Sequence, residues 1–147
     1  MQWASSHEKV NQRFVAVYYT ARYTHHRTLK SAPFDYCRAA HVAQACALLQ
    51  QHGGGAKLIA GGQSLVPMMA MRLTRPAVLV DINEIAALKF IVIEKDFVRT
   101  GACTRQNVTA CDDALAQKAP LLKQALSWAG HPQTRNRGTL GGSLAAC

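Results

Sequence analysis

Two glycine-rich stretches of this chain have the composition of backbone sites for phosphate. The first glycine motif is Ala60-Gly61-Gly62-Gln63-Ser64-Leu65-Val66-Pro67, and the second is Arg135-Asn136-Arg137-Gly138-Thr139-Leu140-Gly141-Gly142-Ser143. Peptide N–H groups must approach phosphate oxygens closely, and glycine permits this because it lacks a Cβ and adopts positive φ at little cost. The hydroxyls of Ser64, Thr139 and Ser143 can donate further hydrogen bonds. We therefore expect both motifs to grip one phosphate-bearing cofactor.

Neither motif is one of the two common nucleotide-binding loops. A P-loop ends in G-K-[ST] and follows a strand, whereas Gly53-Gly54-Gly55-Ala56-Lys57 lacks that ending and precedes a predicted strand. The dinucleotide fingerprint G-x-G-x-x-G does not fit either, because Gly61-Gly62 and Gly141-Gly142 are adjacent pairs. Nucleotide hydrolysis is not supported, and a dinucleotide would have to bind on another scaffold.

Composition indicates one domain with an excess of positive charge. The chain has 147 residues, of which 49% are hydrophobic, and its formal net charge is +9. Diffuse positive charge suits a phosphate-bearing ligand or an acidic partner surface. No basic residues alternate with aromatics as they do in nucleic-acid-binding modules, so we expect no nucleic-acid partner.

The cysteines argue against metal and disulfide chemistry. Cys37, Cys46, Cys103, Cys111 and Cys147 include no C-x-x-C pair, and their number is odd. We expect reduced thiols in a cytoplasmic protein, with no zinc or iron–sulfur site in this chain. No run approaches the roughly 20 apolar residues of a membrane span, so we expect none.

Hydrophobic periodicity predicts the elements around the first motif. Residues 1–31 show no clear period, so we expect an atypical, poorly ordered N-terminal extension there and a globular domain over residues 32–147. The predicted elements of its first half are a helix over 41–52 ended by Gly53, a strand over 57–60, a short helix capped by Ser64, and a strand over 78–82.

The second half of the domain is predicted to begin with an antiparallel hairpin of residues 90–93 with 97–101. Thr104 is expected to cap a helix that runs to Cys111. Another helix is predicted over 120–129, with Leu121, Leu122, Ala125, Leu126 and Ala129 on its apolar side. The second motif then follows as a glycine-rich turn.

The residues around the glycine pairs resemble one family. The matching segments are Ala60-Gly61-Gly62-Gln63-Ser64-Leu65-Val66-Pro67-Met68-Met69-x-x-Arg72-Leu73, Gln133-x-Arg135-Asn136-x-Gly138-Thr139-x-Gly141-Gly142-Ser143-Leu144, Phe34-x-Tyr36, Leu79-Val80-Asp81-Ile82-Asn83 and Gly101-Ala102-x-Thr104. In this order and spacing they resemble the FAD-binding medium subunit of the molybdenum hydroxylases, the group that includes carbon monoxide dehydrogenase and bacterial xanthine dehydrogenases. The resemblance runs from about Pro33 to Ala145.

This resemblance implies an α+β fold, the FAD-binding domain of the PCMH type. A small N-terminal α/β subdomain and a partial second subdomain of antiparallel strands and helices would bind FAD between them. Carried over position by position, the cofactor-binding residues are Ala60, Gly61, Gly62, Gln63, Ser64, Leu65, Thr104, Thr139, Leu140, Gly141, Gly142 and Ser143. No catalytic acid, base or nucleophile and no metal ligand is implied in this chain, and His131 is interpreted as a loop-positioning residue.

The resemblance also implies a place in electron transfer. Substrate would be oxidised at the molybdenum cofactor of a large partner subunit, and electrons would pass through iron–sulfur clusters of a small partner subunit. FAD on this oxidoreductase subunit would then deliver them to an external acceptor. Family members continue past the position of Cys147, so we expect the FAD-binding domain to be incomplete at its C-terminal end. Two alternatives stay open: a truncated, non-functional remnant of such a subunit, and a basic binding module.

Overall fold

A computed structural model describes residues 30–146. The predicted N-terminal extension falls almost wholly on residues 1–29, which lie outside the described residues, as does Cys147. The strands are β1 (Asp35–Arg38), β2 (Ala56–Ile59), β3 (Val78–Asp81), β4 (Ile91–Ile93) and β5 (Val98–Thr100). The helices are α1 (Val42–His52), α2 (Leu65–Ala70), α3 (Gln106–Cys111), α4 (Asp113–Lys118), α5 (Pro120–Trp128), α6 (Pro132–Arg137) and α7 (Leu140–Ala145). This mixture of helices and strands confirms the predicted α+β class.

The first half of the described chain forms a parallel sheet with strand order β1-β3-β2. Asp35 and Ala56 on the outer strands both lie opposite Val78 on β3. Val78, Leu79 and Val80 are buried, as expected for a central parallel strand covered on both faces. Because the three strands run in one direction, their carboxyl ends meet at one edge of the sheet, and the first motif begins there.

Helix α1 packs on this sheet and supplies Ala45 and Leu48 to the core. The helix begins where His41 Nδ1 accepts a hydrogen bond from the Gln44 amide at 3.1 Å. It ends at Gly53, whose φ of +53° is accessible to glycine without strain. The predicted helix and its glycine C-cap are confirmed.

Strands β4 and β5 form the predicted antiparallel hairpin, in which Ile91 lies opposite Thr100. Its turn closes through the Glu94 amide, which donates to the Phe97 carbonyl at 2.9 Å. Glu94 also pairs with Arg99 at 2.9 Å, and both side chains are exposed, so this ion pair adds little stability. The hairpin marks the change from parallel to antiparallel pairing.

Helices α3, α4 and α5 pack together after the hairpin and bury Thr109, Leu115 and Leu126. The helices predicted to end at Cys111 and to begin at Pro120 are confirmed, whereas α4 is an addition to the predicted elements. The predicted apolar side of α5 is buried only in part, because Leu126 is 5% exposed and Leu121 is 76% exposed.

The second motif is not a turn, and that prediction is wrong. Its residues belong to α6 and α7, with Gly138 and Thr139 between the two helices. Residues 102–106 run antiparallel to this junction: the Gln106 amide donates to the Gly138 carbonyl at 2.9 Å, and the Leu140 amide donates to the Thr104 carbonyl at 3.1 Å. This pairing holds the second motif against the connection that follows β5.

Candidate functional site

The first motif leaves β2 at the carboxyl edge of the parallel sheet, which is a common place for ligands in α/β structures. Gly62 has a φ of +72°, which turns the chain toward α2, and the Val66 amide donates to the Gly62 carbonyl at 3.0 Å. Ser64 occupies the N-cap position of α2, but its hydroxyl makes no capping hydrogen bond. The predicted capping role of Ser64 is therefore wrong, and the residue is exposed.

Five consecutive amides of this motif donate to no acceptor within residues 30–146. They are the amides of Gly61, Gly62, Gln63, Ser64 and Leu65. Gly61, Gly62 and Leu65 are partly buried, whereas Gln63 and Ser64 are exposed. Partly buried backbone N–H groups are normally paired, so the free amides of Gly61, Gly62 and Leu65 are unusual in a folded chain. Successive free N–H groups on a turn form an anion-binding concavity, and the first motif therefore has the donors that a phosphate requires.

The amides of the second motif are used within the protein, in contrast to expectation. Gly141 donates to the Ala102 carbonyl at 3.0 Å, and Ser143 donates to the Thr139 carbonyl at 3.1 Å. The Gly142 amide donates to Thr139 Oγ1 at 3.1 Å, so the threonine caps α7. The second motif therefore lines the cleft with the capped helix α7, and its amides at Gly141, Gly142 and Ser143 are already bonded.

The two motifs touch, and glycine is required at their contact. A Cβ on Gly61 would overlap the carbonyl oxygen of Arg137 and lie 2.9 Å from the Gly138 Cα. Gly141 instead packs against the connection after β5, where a Cβ would lie 2.7 Å from the Ala102 Cβ. Close packing against neighbouring segments therefore explains part of the glycine content of the motifs. From the sequence alone, these glycines were attributed to ligand binding.

Both motifs line one cleft with a volume of about 720 Å³, which is within the usual range for small-molecule sites. Ten of the twelve residues predicted to bind the cofactor lie on its wall: Ala60, Gly61, Gly62, Gln63, Ser64, Leu65, Thr139, Gly141, Gly142 and Ser143. Thr104 and Leu140 are not on the wall. The structure thus brings the two distant stretches together around a single hollow.

Thr104 lies beside the cleft and has a structural role. Its hydroxyl donates to the Phe90 carbonyl at 2.9 Å and accepts from the Phe90 amide at 3.2 Å, and the residue is buried. Helix α3 begins after Arg105, which makes no side-chain cap. The prediction that Thr104 caps this helix is therefore wrong, because its side chain instead joins the hairpin to the connection before α3.

Several wall residues were not predicted from the sequence. Gln106 lies on the wall, where its Nε2 donates to Ser143 Oγ at 2.7 Å. Lys57 is the one basic side chain among the described wall residues, which include no Asp or Glu. Ala129 and Gly130 come from the connection between α5 and α6, Thr134 comes from α6, and no spacing in the sequence points to them. The absence of wall carboxylates among residues 30–146 favours an anionic ligand.

A polar network lies behind the contact between the motifs. Asn83 Nδ2 donates to the Ala60 carbonyl at 2.7 Å and to Asp81 Oδ1 at 2.6 Å. Arg105 donates to Asn83 Oδ1 at 2.8 Å and also to the Arg137 carbonyl. The network therefore connects the residue before Gly61 with the residue before Gly138.

Two titratable groups near the network stay protonated at neutral pH. Burial raises the pKa of Tyr36, and the hydrogen bond that its hydroxyl donates to Asp81 raises this pKa further. Burial also raises the pKa of the Cys103 thiol, whose Sγ lies 3.6 Å from the Ile82 carbonyl oxygen. Neither group has the low pKa of a nucleophile.

No cluster of three potential metal ligands occurs in residues 30–146. In the same part of the chain, every helix is too short or too polar to cross a bilayer.

Residues 32–147 match the family described as the FAD binding domain in molybdopterin dehydrogenase. The chain belongs to this family. It is 45% identical over 117 residues to the 6-hydroxypseudooxynicotine dehydrogenase complex subunit alpha of Paenarthrobacter nicotinovorans, which covers 80% of this chain and 40% of the relative. It is 44% identical over 112 residues to the carbon monoxide dehydrogenase medium chain of Hydrogenophaga pseudoflava, which covers 76% of this chain and 39% of the relative.

Solved structures share the fold. Carbon monoxide dehydrogenase from Hydrogenophaga pseudoflava superposes with a TM-score of 0.77 at 42% identity, over 79% of this chain and 40% of that chain. Quinoline 2-oxidoreductase from Pseudomonas putida 86 gives a TM-score of 0.75 at 36% identity, over 79% and 40% of the two chains. The FAD-binding domain described here therefore spans about 40% of the length of these relatives.

The wall of the cleft suits FAD, which combines a diphosphate with flat ring systems. The free amides of residues 61–65 and the ammonium group of Lys57 match the diphosphate in charge and hydrogen-bonding type. Leu58, Ile59, Met68 and Ile82 supply apolar wall for a ring system. The residues present thus fit the cofactor that the family implies.

Proposed function

We propose that the chain holds FAD in this cleft, with the diphosphate at the first motif. The observation that carries the proposal is the run of five free amides at Gly61–Leu65 on the wall of a hollow that the second motif completes. FAD supplies the ability to accept and release electrons when it is bound. The protein contributes amide donors, an apolar wall, and the hydroxyls of Ser64 and Ser143.

In the wider assembly, we propose that the chain is the FAD-carrying part of a molybdenum hydroxylase medium subunit. Electrons would arrive from iron–sulfur clusters on a small partner subunit, after oxidation of substrate at the molybdenum cofactor of a large one, and would leave to an external acceptor. The proposal is supported by the similarity to a protein named as a carbon monoxide dehydrogenase medium chain. A cytoplasmic, reducing location is supported by the four free cysteines of the described chain.

Titration of the purified 147-residue chain with FAD, followed by flavin fluorescence, tests the proposal. We expect saturable binding of FAD and at least about tenfold weaker binding of riboflavin, because each hydrogen bond from an amide to a charged phosphate contributes roughly 1.5–3 kcal/mol. Equal affinity for the two flavins would contradict a diphosphate site at the first motif. Absence of any flavin binding would instead favour the remnant alternative.

A further inference from the structure

We propose that Asn83 and Arg105 are positioning residues that clamp the two glycine motifs in the arrangement that binds the cofactor. This inference rests on the proposed function, because it assigns the clamp a purpose in FAD binding. The hydrogen bonds of the clamp are nevertheless present in the protein alone, so they can be tested without flavin.

The Asn83 side of the clamp sets the direction of the first free amide. Asn83 Nδ2 donates to the Ala60 carbonyl at 2.7 Å. In a planar trans peptide the C=O and the following N–H point in opposite directions, so the Gly61 N–H points away from Asn83. The hydrogen bond that fixes the Ala60 carbonyl therefore also fixes the direction of the Gly61 N–H, which is the first of the five free amides.

Asp81 determines which way the Asn83 amide faces. Asp81 Oδ1 accepts from the Asn83 backbone amide at 2.7 Å and from Asn83 Nδ2 at 2.6 Å. A carboxylate accepts hydrogen bonds and does not donate them when ionised, so it holds the NH₂ group on its own side. Asn83 Oδ1 is thereby left for Arg105, which donates to it at 2.8 Å.

The Arg105 side of the clamp holds the second motif. The guanidinium donates through a second nitrogen to the Arg137 carbonyl, the same carbonyl on which Gly61 packs. A planar fork of donors can serve both acceptors at once, which a single ammonium group on a flexible stem does poorly. Hydrogen bonds therefore link Ala60 to Asn83, Asn83 to Arg105 and Arg105 to Arg137, on either side of the contact between the motifs.

The clamp residues act through the motifs rather than on the ligand. Neither Asn83 nor Arg105 belongs to the described wall of the cleft. A role of Arg105 as a general positive charge for phosphate would survive replacement by lysine. A role as a two-acceptor clamp would not, and this difference makes the inference testable.

The test compares Arg105→Ala, Arg105→Lys and Asn83→Asp with the intact chain. Arg99→Ala is the control, because Arg99 lies on the exposed hairpin, where it contacts Glu94 and the Phe97 ring. Hydrogen exchange without FAD is read at two amides, Val66, which donates to the Gly62 carbonyl, and Gly138, which donates to the Thr134 carbonyl. FAD affinity is then measured on the same proteins.

We expect Arg105→Ala to speed exchange at both reporter amides and to weaken FAD binding about tenfold, with Arg105→Lys close to it in both measurements. Asn83→Asp keeps an acceptor for Arg105 but loses the donor to Ala60, so it should speed exchange at Val66 more than at Gly138. Arg99→Ala should leave exchange and affinity unchanged.

Unchanged exchange at both reporters in Arg105→Ala would overturn the clamp, and so would FAD binding by Arg105→Lys at full affinity. A chain that binds no FAD in its intact form would remove the proposed function, while the exchange comparison would still decide whether the clamp exists. If Arg105→Ala does not fold, the Arg105→Lys and Asn83→Asp proteins carry the same comparison.

Discussion

At the scale of single residues, the glycines of the two motifs have different reasons to be glycine. Gly61 and Gly141 lie where another backbone segment or side chain occupies the space of a Cβ, whereas Gly62 has a positive φ. The proposed phosphate would account for the free amides around Gly61 but not for the packing. Substitutions in the motifs must therefore separate loss of the fold from loss of the ligand.

Gly61→Ala should disrupt both the contact between the motifs and FAD binding, because the new methyl group would overlap the Arg137 carbonyl. Overpacking of this kind costs typically about 1–3 kcal/mol. Gly54→Ala is the matched control, since a Cβ there has no neighbour within 4 Å. Urea unfolding and FAD titration check the pair. A Gly61→Ala protein with normal stability and affinity would show that the two motifs are not in contact as described.

Ser64→Ala should weaken FAD binding without loss of stability. The Ser64 hydroxyl makes no capping hydrogen bond and lies on the wall of the cleft, so its removal affects the ligand alone. A hydrogen bond to a charged group contributes roughly 1.5–3 kcal/mol, which corresponds to an affinity loss of about tenfold or more. Ser127→Ala, at an exposed serine of α5 that is not on the described wall of the cleft, should leave the affinity unchanged. Retained affinity in Ser64→Ala would exclude this hydroxyl as a phosphate donor.

Tyr36→Phe should have a pH-dependent effect on stability. The pKa of Tyr36 is raised above its ordinary value of 10.0, first by burial and then by the hydrogen bond to Asp81. The folded state therefore favours the protonated hydroxyl. Its stabilising contribution is complete below about pH 10 and falls as the pH rises through the raised folded-state pKa.

Urea unfolding of the intact chain and of Tyr36→Phe between pH 7 and pH 11 checks this expectation. The difference between the two free energies of unfolding should be constant up to about pH 9 and should shrink above pH 10. Other groups that titrate in this range are common to both proteins and cancel. A constant difference up to pH 11 would mean that the folded state does not shift the pKa of this hydroxyl.

At the scale of elements, local sequence patterns predicted the helices and strands that local interactions determine. Alternation and turn composition predicted the β4–β5 hairpin, and spacing with a terminal glycine predicted α1. The second motif was predicted as a turn from its glycine-rich composition. In the structure it is helical because Thr139 caps α7 and residues 102–106 hold the junction through long-range hydrogen bonds.

The candidate site was predictable to the same extent. Ten residues that were predicted from the two glycine motifs to bind the cofactor lie on the wall of the cleft. Lys57, Gln106 and Gly130 could not be predicted, because each reaches the cleft through the packing of an element whose position no local pattern sets. The free amides of residues 61–65 and the bonded amides of residues 140–143 likewise became distinguishable only in three dimensions.

Thr139→Val should destabilise the second motif by removing the cap of α7. Its hydroxyl accepts the Gly142 amide at 3.1 Å, and loss of an N-cap costs about 1 kcal/mol. Thr139→Ser keeps the hydroxyl and should retain most of the stability. Thermal unfolding of the two variants checks this expectation. A larger loss for serine than for valine would assign the effect to packing of the buried methyl group, which only valine keeps, rather than to the cap.

At the scale of the whole molecule, the cleft belongs to two halves that the chain joins only once. The parallel sheet delivers the first motif, and the connection after the hairpin holds the second. A ligand that contacts both motifs therefore adds a noncovalent link between the halves. Its binding energy then appears as stability of the whole fold.

FAD should raise the melting temperature of the chain in proportion to the logarithm of its concentration. At 100 times the dissociation constant the linkage contributes about 2.7 kcal/mol, which for a domain of this size is a shift on the order of 10 °C. Differential scanning calorimetry at several FAD concentrations measures it, with riboflavin as the comparison because it lacks the diphosphate. A shift that riboflavin reproduces would place the binding energy in the ring system and not at the first motif. A shift confined to FAD, and reduced in Ser64→Ala, is the result expected if the amides of residues 61–65 hold the diphosphate while the second motif closes the cleft.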